Sequence, residues 1–203
     1  MDLREALEQI SVIRQQVART ETFRGYRAAP IALSGLLAWV GAACQQVLVP
    51  SPADDPARYL TLWIGAALLS IAVTGLFIGL HWHSSGTLMR SNTRLAVGQF
   101  LPSLGAGAVL TLVVYRHAPA ELWMLPGLWS ILFSLGIFAS FRLLPPATFW
   151  VGVYYLAAGA GSLAWAQGEH AFSPLAMGLS FGAGQFLTAG ILYWALERTP
   201  HGD

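Results

Sequence analysis

Four glutamines sit inside long apolar runs of this chain: Gln45 and Gln46, then Gln99, then Gln185. A primary amide carries two donors and an acceptor, so in hydrocarbon it must find a partner. Polar side chains at such depth face the interior of a bundle or a cavity. Pro102 cannot donate a backbone hydrogen bond and crowds the carbonyl of Gly98, which predicts a kink beside Gln99. Gly182 and Gly184 form a similarly yielding stretch next to Gln185. Broken helices with polar groups at depth are how transporters build midplane sites. Trp39, Trp129, Tyr154 and Tyr155 fall at comparable depth, and with Gln99 and Gln185 they make a candidate intramembrane pocket. Glutamines also serve simply as hydrogen-bonding glue between helices, with aromatics as packing. That plainer role is favoured, because no charged residue lies mid-membrane to couple an ion.

Other chemistries are poorly provided for. All eleven basic residues are arginine, so there is no lysine for a phosphate-binding loop or a Schiff base. The single cysteine, Cys44, rules out a disulfide within the chain and any thiolate-built metal site. Gly41-Ala42-Ala43-Cys44 resembles a lipoprotein cleavage box except at its first position, and Cys44 is read as a buried, inert thiol. His81 and His83 flank Trp82, a pair that lacks a third metal ligand. His117, Glu121, Glu169 and His170 could form a pH-sensing or metal-binding patch, although solvated loop side chains are the favoured reading. No histidine lies within a span to ligate haem or to activate Ser34, Ser70, Ser103, Ser134, Ser162 or Ser180. Paired carboxylates at depth are missing too, so the expectation is a non-enzyme without cofactor or resident metal.

The elements that position these residues follow from composition. Charged residues are 10% of the 203, and mean hydropathy is +0.56. A chain this apolar has too little polar surface to cover a water-facing sphere, so lipid must face much of it. A net charge of +1 leaves no basic surface for nucleic acid. Six apolar runs are long enough to cross a bilayer: Ala28–Val49, Tyr59–Leu80, Leu95–Tyr115, Leu122–Phe141, Pro146–Ala166 and Phe172–Leu196. The expected fold is all-α, a bundle of six transmembrane helices over residues 28–198. A cytoplasmic segment 1–27 precedes it and a short tail 199–203 follows.

Arginine placement orients the bundle. With both termini cytoplasmic, the inner side holds Arg4, Arg14, Arg19, Arg24, Arg27, Arg90, Arg94, Arg142 and Arg198, and the outer side only Arg58 and Arg116. That predicts a protein integral to the cytoplasmic (inner) membrane. The arginine-only basic set, with abundant Ala, Gly and Leu, suggests a bacterium. The first apolar run begins after a charged, helix-like segment, which argues against a signal peptide.

That leading segment is itself patterned. Asp2 can cap a helix while Glu5 reaches back. Leu3, Leu7, Ile10, Ile13 and Val17 then recur at three- and four-residue steps, an apolar stripe. The opposite face mixes Arg4, Glu5, Glu8, Gln9, Gln15, Gln16 and Arg19, whereas a helix meant for anionic lipid would be mainly basic there. The stripe is therefore expected to dock on protein: the bundle's own helix ends, a second copy or a cytoplasmic partner. A passive interfacial helix leading to Phe23, Arg24, Tyr26 and Arg27 is the simpler possibility.

A glycine rhythm links the even-numbered spans. Gly75, Gly136 and Gly190 sit late in them, and Gly65, Gly127 and Gly178 sit earlier, which suggests three repeated hairpins. A rival pairing, Gly98-Gln99-Phe100-Leu101 with Gly184-Gln185-Phe186-Leu187, would relate spans three and six as inverted halves. Gly75/Gly79 and Gly178/Gly182 are Gly-x-x-x-Gly pairs that let backbones approach within the bundle or between copies. Three hairpins with mid-helix glycines resemble the bacterial acid-resistance membrane protein family, which is also six-spanning. Pro145-Pro146, Phe149-Trp150 and Tyr154-Tyr155 resemble the tryptophan-rich sensory proteins, which have five spans and which the rest of the chain does not follow. Two functions remain from the residues: an interaction or regulatory membrane protein docking a partner through residues 3–17, or a small-solute transport or binding component using the midplane pocket.

Overall fold

A computed structural model describes residues 28–82 and 87–197, and the described residues are helical with no strand. The docking stripe Leu3, Leu7, Ile10, Ile13 and Val17 lies outside the described residues, as does the tail. The helices are α1 (Ala28–Leu48), α2 (Pro56–Trp82), α3 (Thr87–His117), α4 (Leu125–Ser140) and α5 (Thr148–Trp165). A last helix follows, built from α6 (Pro174–Met177), a π-wound segment Gly178–Ala183, α7 (Gly184–Leu192) and a second π-wound segment Tyr193–Glu197.

Proline marks several starts, because its missing N–H is one that a first helical turn leaves unbonded anyway. Pro56 opens α2, Pro126 stands in the first turn of α4, and Pro174 opens the last helix. Asp55 adds a side-chain cap to α2, its Oδ1 accepting the Arg58 backbone N–H at 3.0 Å. Inside α3, Pro102 does not end the helix, which continues to His117.

Five of these rods are long and apolar enough to cross a membrane: Ala28–Leu48, Pro56–Leu80, Thr93–His117, Pro119–Leu143 and Pro174–Ala195. Helix α5 is 18 residues long, or about 27 Å at 1.5 Å per residue, but Trp, Tyr and Gly dilute its apolarity. Exposed aromatics ring both ends, Trp150 and Trp194 at one and Tyr115 and Trp165 at the other, as interfacial anchors do.

Neighbouring helices run α2–α1–last helix–α5–α4–α3, with α4 and α5 making the most extensive contact and the last helix also touching α4. At the end opposite Ala28 and Glu197, Val49, Tyr59, Trp63, Leu122, Leu125 and Met177 form one core cluster. Ala28, Ile31, Ala189 and Leu192 form another at the Ala28 end. Between them Ile137, Val151 and Tyr155 make a third, and Phe181 packs against both this and the first. Helices α2 and α3 stand apart: only 6% of each apolar window is buried within the chain, against 39% for α1 and 44% for the last helix.

Glycine sets the close approaches between helices. A Cβ on Gly127 would lie 2.8 Å from the Gly159 carbonyl oxygen, and one on Gly159 would lie 2.7 Å from that of Gly127. This reciprocal pair joins α4 to α5. Gly182 brings its carbonyl to 3.0 Å from where a Gly35 Cβ would stand on α1, and with Gly178 it receives the ring of Trp39, while Gly75 and Gly79 face nothing within 4 Å.

Candidate functional site

Most polar groups at depth are tied to the chain's own helices. Gln45 uses both ends of its amide: Nε2 donates to the Phe172 carbonyl at 2.7 Å, and Oε1 accepts from Trp63 Nε1 at 3.0 Å. Gln45 is 2% exposed, so neither bond has water as a substitute. Phe172 itself carries a positive φ of 60°, unusual for a side chain of that size, and its ring meets Tyr59 edge-on at 5.0 Å. The glutamine, the strained turn and the α2 aromatics thus form one lock at the far end.

A second lock has the same spacing. Trp129 Nε1 on α4 donates to Thr111 Oγ1 on α3 at 2.8 Å, and 18 residues separate the partners, as they do in Gln45–Trp63. Gly41 lies against the Trp63 ring and Gly107 against Trp129, each four positions before the hydrogen-bonding residue. Gly41 makes room for the Trp63 ring, which a Cβ would meet at 3.3 Å, whereas a Cβ on Gly107 would reach Trp129 only at an ordinary 3.9 Å.

The π-wound segment Gly178–Ala183 collects four of the six residues expected to line a pocket. A Cβ on Gly182 would fall 2.5 Å from Trp39 Nε1, so the indole lies flat on the segment from the α1 side. From the α5 side, Tyr154 Oη donates to the Leu179 carbonyl at 2.5 Å. Tyr155, next to it, is fully buried, and its ring occupies the space a Gly184 Cβ would need. Phe133 and Phe181 stack around Tyr155 at 4.7 and 5.7 Å, and Ser130 Oγ donates to its carbonyl at 2.8 Å. Gln185 follows the segment, with its Cβ 3.1 Å from where a Gly35 Cβ would stand. Widened winding leaves carbonyls off the regular i→i+4 ladder, and such turns often mark functional sites. The Tyr155 hydroxyl is buried without a hydrogen-bond partner.

The other two expected pocket residues lie elsewhere. Trp129 belongs to the Thr111 lock, and Gln99 is exposed on α3. Periodicity could not separate them, because depth along a span says nothing of which face a side chain takes. Gln45, by contrast, was visible in the sequence as a polar residue at depth, but its bond to a carbonyl 127 positions away left no local signal.

At the loop ends, Trp123 Nε1 donates to Glu121 at 3.1 Å, and the His170 ring packs on Trp165 at 4.7 Å. The described residues hold no group of three or more metal-ligating side chains. Cys44, read as a buried thiol, is free and half-buried. Comparison with known proteins returns no relative: no family model, curated protein or solved structure matches the chain.

Proposed function

We propose that this chain is an interaction or regulatory membrane protein without a catalytic set, whose bundle anchors a docking helix at residues 3–17. The use of polar groups at depth is the observation that carries the proposal. Gln45, Trp63, Thr111, Trp129, Ser130 and Tyr154 all bond within the chain, so the interior is organised as scaffold. The stripe Leu3, Leu7, Ile10, Ile13 and Val17, on a balanced rather than basic helix, then remains the segment best suited to a protein partner.

In this proposal the bundle has six spans, with α5 crossing alongside α4, and both termini are cytoplasmic in a bacterial inner membrane. Arginine bias supports the orientation. The indole hydrogen bonds of Trp63 and Trp129, each spanning 18 residues, support descent from a repeated hairpin. Gly75 and Gly79, with nothing packed on them, suit contact with another copy.

Crosslinked pull-down from membranes, comparing the full chain with one lacking residues 1–20, tests the proposal. A defined partner held by the full chain and lost from the truncated one supports docking. Identical partners from both would contradict it. Small-solute binding or transport is the second possibility, and the π-wound segment between Trp39 and Tyr154 is the observation in its favour.

A further inference from the structure

One face of helix α2, bordered by Tyr115 at the far end of α3, forms an open groove of about 430 Å³. Ala57, Thr61, Ile64, Gly65 and Leu68 line it on α2, and Tyr115 lines it on α3. Its wall is apolar in effect, because the Thr61 hydroxyl is already bonded to the Ala57 carbonyl at 2.8 Å. Gly65 meets nothing within 4 Å, so it forms a notch in this wall. From Ala57 to Leu68 the cleft runs about 16 Å along the helix axis, close to the roughly 15 Å depth of one leaflet's hydrocarbon.

The mouth carries both signs of charge. Arg58 follows Ala57 and Arg116 follows Tyr115, while Asp54 and Asp55 stand just before α2. All four are exposed. Arg58 and Asp55 approach only to 3.8 Å with both side chains largely in solvent, a pairing too loose to neutralise either. Arg116 forms no ion pair among the described residues. A groove as long as one acyl chain thus ends at Ala57 and Tyr115, the lining residues that Arg58, Arg116, Asp54 and Asp55 neighbour in sequence.

We propose that this cleft binds a phospholipid with an ethanolamine headgroup from the surrounding membrane. One acyl chain lies along Ile64, Gly65 and Leu68. Arg116 and Arg58 hold the phosphate, guanidinium being the group best shaped for it. The primary ammonium donates to Asp54 and Asp55. A choline headgroup has no N–H to offer these carboxylates, and a glycerol headgroup has no positive charge. The site is independent of what residues 3–17 bind.

Native mass spectrometry of the full chain, exchanged into equimolar phosphatidylethanolamine, phosphatidylcholine and phosphatidylglycerol of matched acyl chains, tests it. The wild type is expected to retain phosphatidylethanolamine about ten-fold over the other two, the ratio that loss of a charged hydrogen bond produces. Asp54→Asn should abolish the preference over phosphatidylcholine, and Arg116→Gln should weaken retention of all three. Gly65→Phe, which fills the notch, should remove retention while leaving the thermal unfolding midpoint unchanged. Ile64→Trp is a second way of filling the cleft, with the same expectation. Equal retention of the three lipids by the wild type would overturn the proposal. So would undiminished retention of phosphatidylethanolamine by both cleft-filling variants, or an unchanged preference in Asp54→Asn.

Discussion

The amide of Gln45 donates to the carbonyl of Phe172 at 2.7 Å, binding the first span to the turn that precedes the last. The same side chain accepts from Trp63, so one residue joins α1, α2 and the start of the last helix. Removing it would leave an indole N–H and a carbonyl without partners in a closed cluster. Gln45→Leu should therefore cost about 1–3 kcal/mol of stability, with the lower part of that range typical of membrane interiors. Gln46→Leu, at the exposed neighbouring position, should change stability little. Reversible unfolding in mixed micelles compares the two.

Gly127 and Gly159 let α4 and α5 approach backbone to backbone. Gly159→Leu should cost about 1–3 kcal/mol, as overpacking does, and loosen that pair selectively. Gly161→Ala, where nothing lies within 4 Å, should be neutral or stabilising by about 0.5–1 kcal/mol through helix propensity. Thermal unfolding of both variants beside the wild type separates close packing from propensity.

Tyr154 Oη holds the Leu179 carbonyl within the π-wound segment. Tyr154→Phe should lose about 0.5–1.5 kcal/mol, the ordinary net value of one hydrogen bond. Gly182→Ala should displace the Trp39 ring, and Trp39 emission should shift in a chain whose other tryptophans are replaced. An unchanged spectrum would mean that the indole does not lie on the segment.

Helix α5 tests the span count. If it crosses the membrane, cysteines introduced as Arg142→Cys and Gln167→Cys in a Cys44→Ala background react with an impermeant thiol reagent from opposite sides. Arginine bias predicts that Gln167→Cys reacts from outside. Reaction of both from the same side would remove the sixth span.

Much of the helical layout was legible because a span needs a long apolar run, although Pro56 and Pro174 open helices where the runs were expected to start at Tyr59 and Phe172. The expected Ala28–Val49 run became Ala28–Leu48, one residue shorter, whereas α3 extends past its apolar run at both ends, to Thr87 and His117. Lateral pairing was not legible. Gly178 and Gly182 fit a helix-crossing pattern by spacing and do meet α1 at Gly35 and Trp39, yet Gly75 and Gly79, with the same spacing, meet nothing within 4 Å. Trp39, Tyr154, Tyr155 and Gln185 do gather on the last helix, but Gln99 and Trp129 share only their depth with them. The π-winding that centres the group had no mark beyond its glycines.

Residue-specific photocrosslinking in native membranes shows what the stripe at residues 3–17 touches. Benzoyl-phenylalanine replaces Leu7 or Ile10 on the apolar stripe, or Glu8 on the polar face. With a docking helix, Leu7 and Ile10 give one defined protein adduct and Glu8 gives none. Adducts only with lipid from the stripe, or equal protein adducts from both faces, would contradict it.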